Sequence, residues 1–155
     1  MLKLLFVCHG NICRSPMAES VCAYEIAKRG INNVAVDSAA AHTDEIGNPP
    51  HRGTREKLRR EQIPLIDHRA RLLNAADAER YDYFIGMDDY NVRDMRRILG
   101  GTQKPVCKLL DFTPSPRSIA DPWYTGNFDA TFQDIVMGVN ALLDDLERKG
   151  RAKRE

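Results

Sequence analysis

No stretch of the 155-residue chain is apolar for long enough to cross a bilayer, and the short run before Cys8, with one Lys, is too brief for a secretory leader. No membrane association is therefore expected, and a cytoplasmic address is the default. Charge of one sign is also missing. Lys+Arg 23 against Asp+Glu 22 leave a formal net charge of +1, so nucleic acid is not an expected partner. Cysteine is scarce, and the four present are too few for a disulfide framework in a chain of this size. Neither internal repeat nor low-complexity linker interrupts the chain. Residues 1–155 are expected to form one domain that buries its own core.

What is present concentrates near the start. Leu2 to Val7 is almost wholly apolar and reads as a fully buried strand. Pro16 to Ser20 reads as the first turn of a helix, with Ser15 placed to cap it. The loop between them, Cys8, His9, Gly10, Asn11, Ile12, Cys13, Arg14, Ser15, therefore links a central strand to a helix N-terminus, where an open α/β sheet binds anions. A thiol beside a helix N-terminus and a guanidinium is favoured as thiolate. If the loop curls, the planar fork of Arg14 holds two phosphoryl oxygens before the Cys8 sulfur, and the backbone N–H groups from His9 to Ser15 form an anion nest.

A Cys, five residues, Arg and Ser between a strand and a helix resembles the phosphate loop of protein tyrosine phosphatases. The stretch CHGNICRSP, placed at the start of the chain, is similar to that of the low-molecular-weight phosphatases. Four strands alternating with helices suggest an α/β three-layer sandwich with a parallel sheet and β1 in its centre. The resemblance adds the strand order 2-1-3-4. It also implies that His68, in HRAR, bonds to Asn11 and Ser15 and holds the loop in shape. It further makes Asp121, at the head of DPWY, the general acid and base, though an Asp before Pro taken alone reads as a turn residue. Asp44, Trp123, Tyr124 and His9 are then expected around the cleft, with Asp44 where relatives often carry an aromatic residue.

The expected reaction is hydrolysis of phosphotyrosine in proteins: Cys8 takes the phosphoryl group, Asp121 protonates the departing phenolate and then activates water, and inorganic phosphate is released. Arg14 and the nest supply the positive field, so no metal and no cofactor are expected. A phosphoprotein and the kinase that made it are the expected partners. The spacing of Cys8 and Cys13 is compatible with a reversible disulfide that shields Cys8 from further oxidation. Two alternatives share the loop. Arsenate reduction needs a relay of further cysteines, and none lies between Met87 and Val106. A phosphoarginine phosphatase is implied by relatives with Thr at the position of Ile12, and the apolar residue here favours tyrosine.

The rest of the chain supplies scaffold. A helix from Pro16 to Gly30 is expected to turn Met17, Val21, Tyr24 and Ala27 to the core. A short strand over residues 34–36, a basic helix over 54–62 with a solvated charged face, a strand over 83–87, a helix to Leu99 with Asp88 and Asn91 as capping and scaffold groups, and a last edge strand over 105–110 follow. The PPHRG stretch, Pro49 to Gly53, departs from the PDPR common in the family and is expected to lie away from the chemistry. Phe132, Ile135, Val139, Leu142, Leu143 and Leu146 mark a long final helix, and residues 148–155 are expected to fray. Cys22 and Cys107 read as small buried hydrophobes.

Overall fold

The computed structural model describes residues 1–155. Strand β1, Leu2–Cys8, exposes only Lys3. A strand this apolar must be covered on both faces, and it sits in the middle of a parallel sheet. On one side it pairs with β2, Val34–Ala40, and on the other with β3, Tyr83–Gly86; β4, Val106–Lys108, forms the far edge, giving the order β2-β1-β3-β4. Cys8 stands opposite Ala40, and Val7 opposite Gly86. The loops after these three strands therefore leave the sheet at one level, at the switch in strand order.

Alternation along β1 divides the core. Leu4, Phe6 and Cys8 join a cluster of 26 buried residues under α1 (Arg14–Arg29) and α6 (Phe128–Arg148), whereas Leu5 and Val7 join nine beneath α4 (Asp89–Leu99). The face that carries the Cys8 side chain is thus the more heavily packed one. In α1 the buried row is Ala18, Cys22 and Ile26 beside Met17 and Val21. Tyr24 and Ala27, expected inside, are exposed. The i, i+4 row, not the i, i+3 step to Tyr24, follows the contact line with α6. Gly30 ends α1 at φ 70°, as its position predicts.

Several boundaries differ from the reading of the sequence. Strand β2 runs on through Asp37 and Ser38 because the backbone pairing with β1 continues past its apolar residues. The basic helix α2 is Arg52–Arg60, with only Thr54 and Leu58 buried. Strand β3 stops at Gly86, because Asp88 and Asn91 form a capping box that starts α4. Strand β4 stops at Lys108, because Leu109 to Phe112 coil into a 3-10 turn. That turn presses Leu109 onto Gly138 of α6 so closely that a Cβ there would lie 2.5 Å from the Leu109 Cγ.

Two four-residue helices, α3 (Asp77–Arg80) and α5 (Pro122–Thr125), interrupt the longer loops. The last residues do not fray. Ala152 is buried, Arg154 bridges Ile31 and pairs with Glu147, and the Glu155 N–H donates to the Gly30 carbonyl. No helix is long and apolar enough to cross a membrane.

Candidate active site

The loop after β1 coils beneath the end of the sheet. Helix α1 begins at Arg14 with Cys13 as its N-cap, and no side chain caps it. Ser15, expected to cap, lies inside the first turn, and its hydroxyl sits 3.0 Å from the Cys8 sulfur. The Ser15 N–H also points at that sulfur, at 3.4 Å. A cap bond would have turned this hydroxyl away from Cys8. The loop closes through Asn11, which takes φ 60°, a left-handed conformation that Asn tolerates better than most side chains.

Four bonds hold Asn11 there. Its Oδ1 accepts from His68 Nε2 at 2.6 Å and from the Arg71 N–H at 3.2 Å, while its Nδ2 donates to Ser15 Oγ at 2.8 Å and to Ser38 Oγ at 3.0 Å. These directions decide a proton. Because Ser15 Oγ accepts from Asn11, its own hydrogen is free to point at the Cys8 sulfur. His68, expected to bond both Asn11 and Ser15, reaches Asn11 directly and Ser15 only through it; its other neighbour on that nitrogen is Ser38, at 3.3 Å.

Arg14 is almost wholly buried, with 2% of its surface exposed. Its Nη1 donates to Asp88 Oδ2 at 2.8 Å and to the Ile119 carbonyl at 2.9 Å, which fixes the plane of the guanidinium. Nη2 makes only a 3.4 Å contact with Asp121 Oδ2, and Nε is buried with no partner. The Nε and Nη2 edge is the one left to take two oxygens of an anion. Asp88, expected as a capping and scaffold group, thus caps α4 and also orients Arg14. Asp121 is N-cap to α5: its Oδ1 accepts from the Trp123 N–H at 3.0 Å and leaves Oδ2 toward Arg14.

A cleft of about 110 Å³ lies over this floor, lined by Cys8, Gly10, Ile12 and Cys13 below and Asp121 beside them, with His9, Asp44, Glu45, Trp123 and Tyr124 at the mouth. Trp123 and Tyr124 are exposed on one side. On the other, His9 bonds to Asp44 at 2.9 Å and stacks on His42, with ring centroids 4.2 Å apart. That bond keeps the Asp44 carboxyl below its ordinary range. Asn11, Arg14 and Ser15 lie behind the lining rather than in it.

A family model described as low molecular weight phosphotyrosine protein phosphatase matches residues 3–152. The chain belongs to that family. Among its relatives, the low molecular weight protein-tyrosine-phosphatase YfkJ of Bacillus subtilis is 40% identical, covering 96% of this chain and 98% of YfkJ. PtpA of Staphylococcus epidermidis, a protein of the same description, is 35% identical over 99% of both chains. The crystal structure of YfkJ superposes with a TM-score of 0.91 over 96% of each chain.

Within this low-molecular-weight phosphatase, the PPHRG stretch is not remote. The His51 N–H donates to the Ile12 carbonyl at 2.7 Å, and Thr54 Oγ1 to the Cys13 carbonyl at 3.0 Å. The loop therefore rests on the start of α2. Gly53 is required there, since a Cβ would lie 2.4 Å from the Phe128 ring. His51, Thr54, Ser38 and Glu19 carried no local signal of this, because each acts through a partner 19 to 41 residues away along the chain.

Burial also sets protonation. The Cys13 thiol is pushed up to about 12, first by burial and then by Cys8 and Asp121, so it stays protonated at neutral pH. Burial lowers His68 and favours its neutral form. Glu19, which accepts from Ser38 Oγ and lies 3.7 Å from His68, is raised from 4.5 to about 7 by burial, against the Ser38 bond. Glu19, Asp37 and His68 offer ligand atoms within 4.8 Å of one another, but Ser38, Tyr81 and Asn11 already engage them.

A carboxyl whose folded pKa is raised favours the fold most below its ordinary value. That contribution is lost as pH climbs from about 4.5 to about 7. Glu19→Gln is therefore expected to flatten this part of the stability profile and to gain about 1–3 kcal/mol at pH 8. Urea unfolding at pH 5 and pH 8 checks it, and an unchanged difference between the two would refute it.

Proposed function

We propose that this phosphatase hydrolyses phosphotyrosine in proteins, with Cys8 as nucleophile, Arg14 as phosphate clamp and Asp121 as general acid and base. One observation carries the reading: the Cys8 sulfur lies under the Ser15 N–H and hydroxyl, at the floor of a cleft shared by the Asp121 carboxylate, with Arg14 behind it offering an unpartnered Nε and an Nη2 held only by a 3.4 Å contact with Asp121.

In the first step the Cys8 thiolate attacks phosphorus, a sulfur–phosphorus bond forms, and the bond to the phenolic oxygen breaks. The Asp121 proton passes to that oxygen, because a neutral phenol leaves more easily than a phenolate. In the second step Asp121 takes a proton from water, the water oxygen bonds to phosphorus, and the sulfur departs as thiolate. The Ser15 hydroxyl, oriented by Asn11, stabilises that departing charge. The Nε and Nη2 edge of Arg14 and the N–H groups of residues 9–15 hold the equatorial oxygens, where charge resides in the transition state. His68 and Asn11 act through the loop as positioning residues.

Cys13 is the proposed redox partner. Peroxide oxidises the Cys8 thiolate to sulfenic acid, and the Cys13 thiol condenses with it to a disulfide and water. A thiol used this way favours a reducing compartment such as the cytoplasm. The tyrosine kinase that makes the substrate is the proposed opposing partner.

Tyrosine is favoured over shorter side chains because the sulfur lies at the floor of a cleft lined also by Ile12, Trp123 and Tyr124. Matched peptides carrying phosphotyrosine, phosphoserine or phosphoarginine test this. Phosphotyrosine is expected to give the highest kcat/KM by at least about tenfold, equivalent to about 1.4 kcal/mol. A preference for phosphoarginine would move the assignment to that substrate.

A further inference from the structure

Resting on the phosphatase reading above, we propose that a groove along α2 receives an acidic segment of the phosphoprotein substrate. From sequence the basic run over this helix reads only as a solvated face. The fold arranges its charges more specifically. Thr54 and Leu58 face inward, which leaves Arg52, Arg55 and Arg59 at i, i+3 and i+7 along the outer face. Glu56 matches Arg52, while Glu61 and Asp129 match Lys57 and Asp129 also meets Arg60. Arg55 and Arg59 form no ion pair with a carboxylate; Glu56, held down chiefly by its bond to Arg52, also feels the field of Arg59.

A groove accompanies that charge. Gln62 takes φ 59°, which turns the chain back at the end of α2 and brings Ile63, Pro64 and Leu65 alongside Arg55 and Arg59. The groove so formed is about 530 Å³, with two cations on one wall and the partly exposed Leu65 on the other. Its chemistry suits a segment that combines carboxylates with an apolar residue.

Position ties the groove to the reaction. The N-cap of α2 reaches residues that line the cleft: His51 meets the Trp123 ring edge-on at 5.8 Å, and its backbone N–H donates to the Ile12 carbonyl. At a rise of about 1.5 Å per residue, Arg55 and Arg59 lie about 5 and about 10 Å along the axis from Arg52. That span matches about three residues of extended chain. In the cleft lining itself stand two carboxylates, Asp44, bonded to His9, and Glu45, against Gly10. An acidic flank is repelled there and attracted along α2, so the cleft distinguishes the two sides of the phosphotyrosine.

The test uses four phosphotyrosine peptides of one core sequence, with three Glu on the N-terminal side, on the C-terminal side, on both, or replaced by Gln. One single-sided Glu peptide is expected to exceed the Gln peptide in kcat/KM by about 3- to 10-fold, and the other should not. The gain should vanish at about 1 M salt, where the screening length falls to about 3 Å. Arg55→Glu/Arg59→Glu should abolish or invert it, Arg55→Gln/Arg59→Gln should fall between, and turnover of p-nitrophenyl phosphate should stay within about twofold for both.

Fluorescence anisotropy of the same peptides on Cys8→Ser protein reads binding without turnover. If p-nitrophenyl phosphate is not hydrolysed at all, the phosphatase reading fails, while this binding ratio still decides the groove. Equal affinities for all four peptides would overturn the proposal. So would binding of phosphatidylserine vesicles through the two arginines with no peptide preference.

Discussion

Replacing Cys8 by Ser is expected to lower kcat for an aryl phosphate by at least about 10⁴-fold while inorganic phosphate affinity stays within about threefold. The asymmetry follows from what surrounds the sulfur. Its hydrogen-bond neighbours are the Ser15 hydroxyl and N–H, which donate and so stabilise an anion already formed. Neither can take a proton from a serine hydroxyl, whose pKa lies far above that of a thiol. The cradle itself, made by Arg14 and loop N–H groups, does not need the sulfur. Steady-state kinetics and calorimetric titration with phosphate measure the two halves separately. Retention of more than about a hundredth of kcat would remove Cys8 as nucleophile.

Asp121→Ala is expected to cost about 10²- to 10⁴-fold in kcat, the range general acids supply. The loss should be largest for phenyl phosphate and smallest for p-nitrophenyl phosphate, whose leaving group needs little protonation. Asp121 also caps α5 through Oδ1 and contacts Arg14 through Oδ2, so truncation alone confounds chemistry with position. Asp121→Asn separates them, because an amide oxygen keeps the cap to Trp123 but the amide cannot serve as the acid. If Asn restores activity that Ala loses, or if both losses are equal across leaving groups, the acid assignment falls.

Ser15 and Asp88 mark how far neighbours along the chain disclose a residue's role. Both were legible as helix-terminal residues, since capping preferences are local. At Asp88 that reading holds and is incomplete, because the free carboxylate oxygen crosses to Arg14, 74 residues away. At Ser15 it is displaced: the helix starts two residues earlier, at Arg14 and not Pro16, and the hydroxyl serves the Cys8 sulfur instead. Tyr24 shows the same limit in the core. Helical spacing identified a face, but only packing against α6 chose which row of that face is buried.

From its sequence alone this protein determined the buried first strand, the phosphate-type loop behind it, the helix that follows and the pairing of a thiol with an arginine six positions on. Those properties depend on periodicity, glycine and proline placement and neighbours along the chain. Tertiary structure alone decided which edge of Arg14 is left open, that Ser38 and Arg71 join His68 in pinning Asn11, and that His51 and Thr54 support the loop from the start of α2. These partners lie 27 to 105 residues apart. They meet only because parallel strands return every loop to the same edge of the sheet, and no pattern along the chain records that meeting.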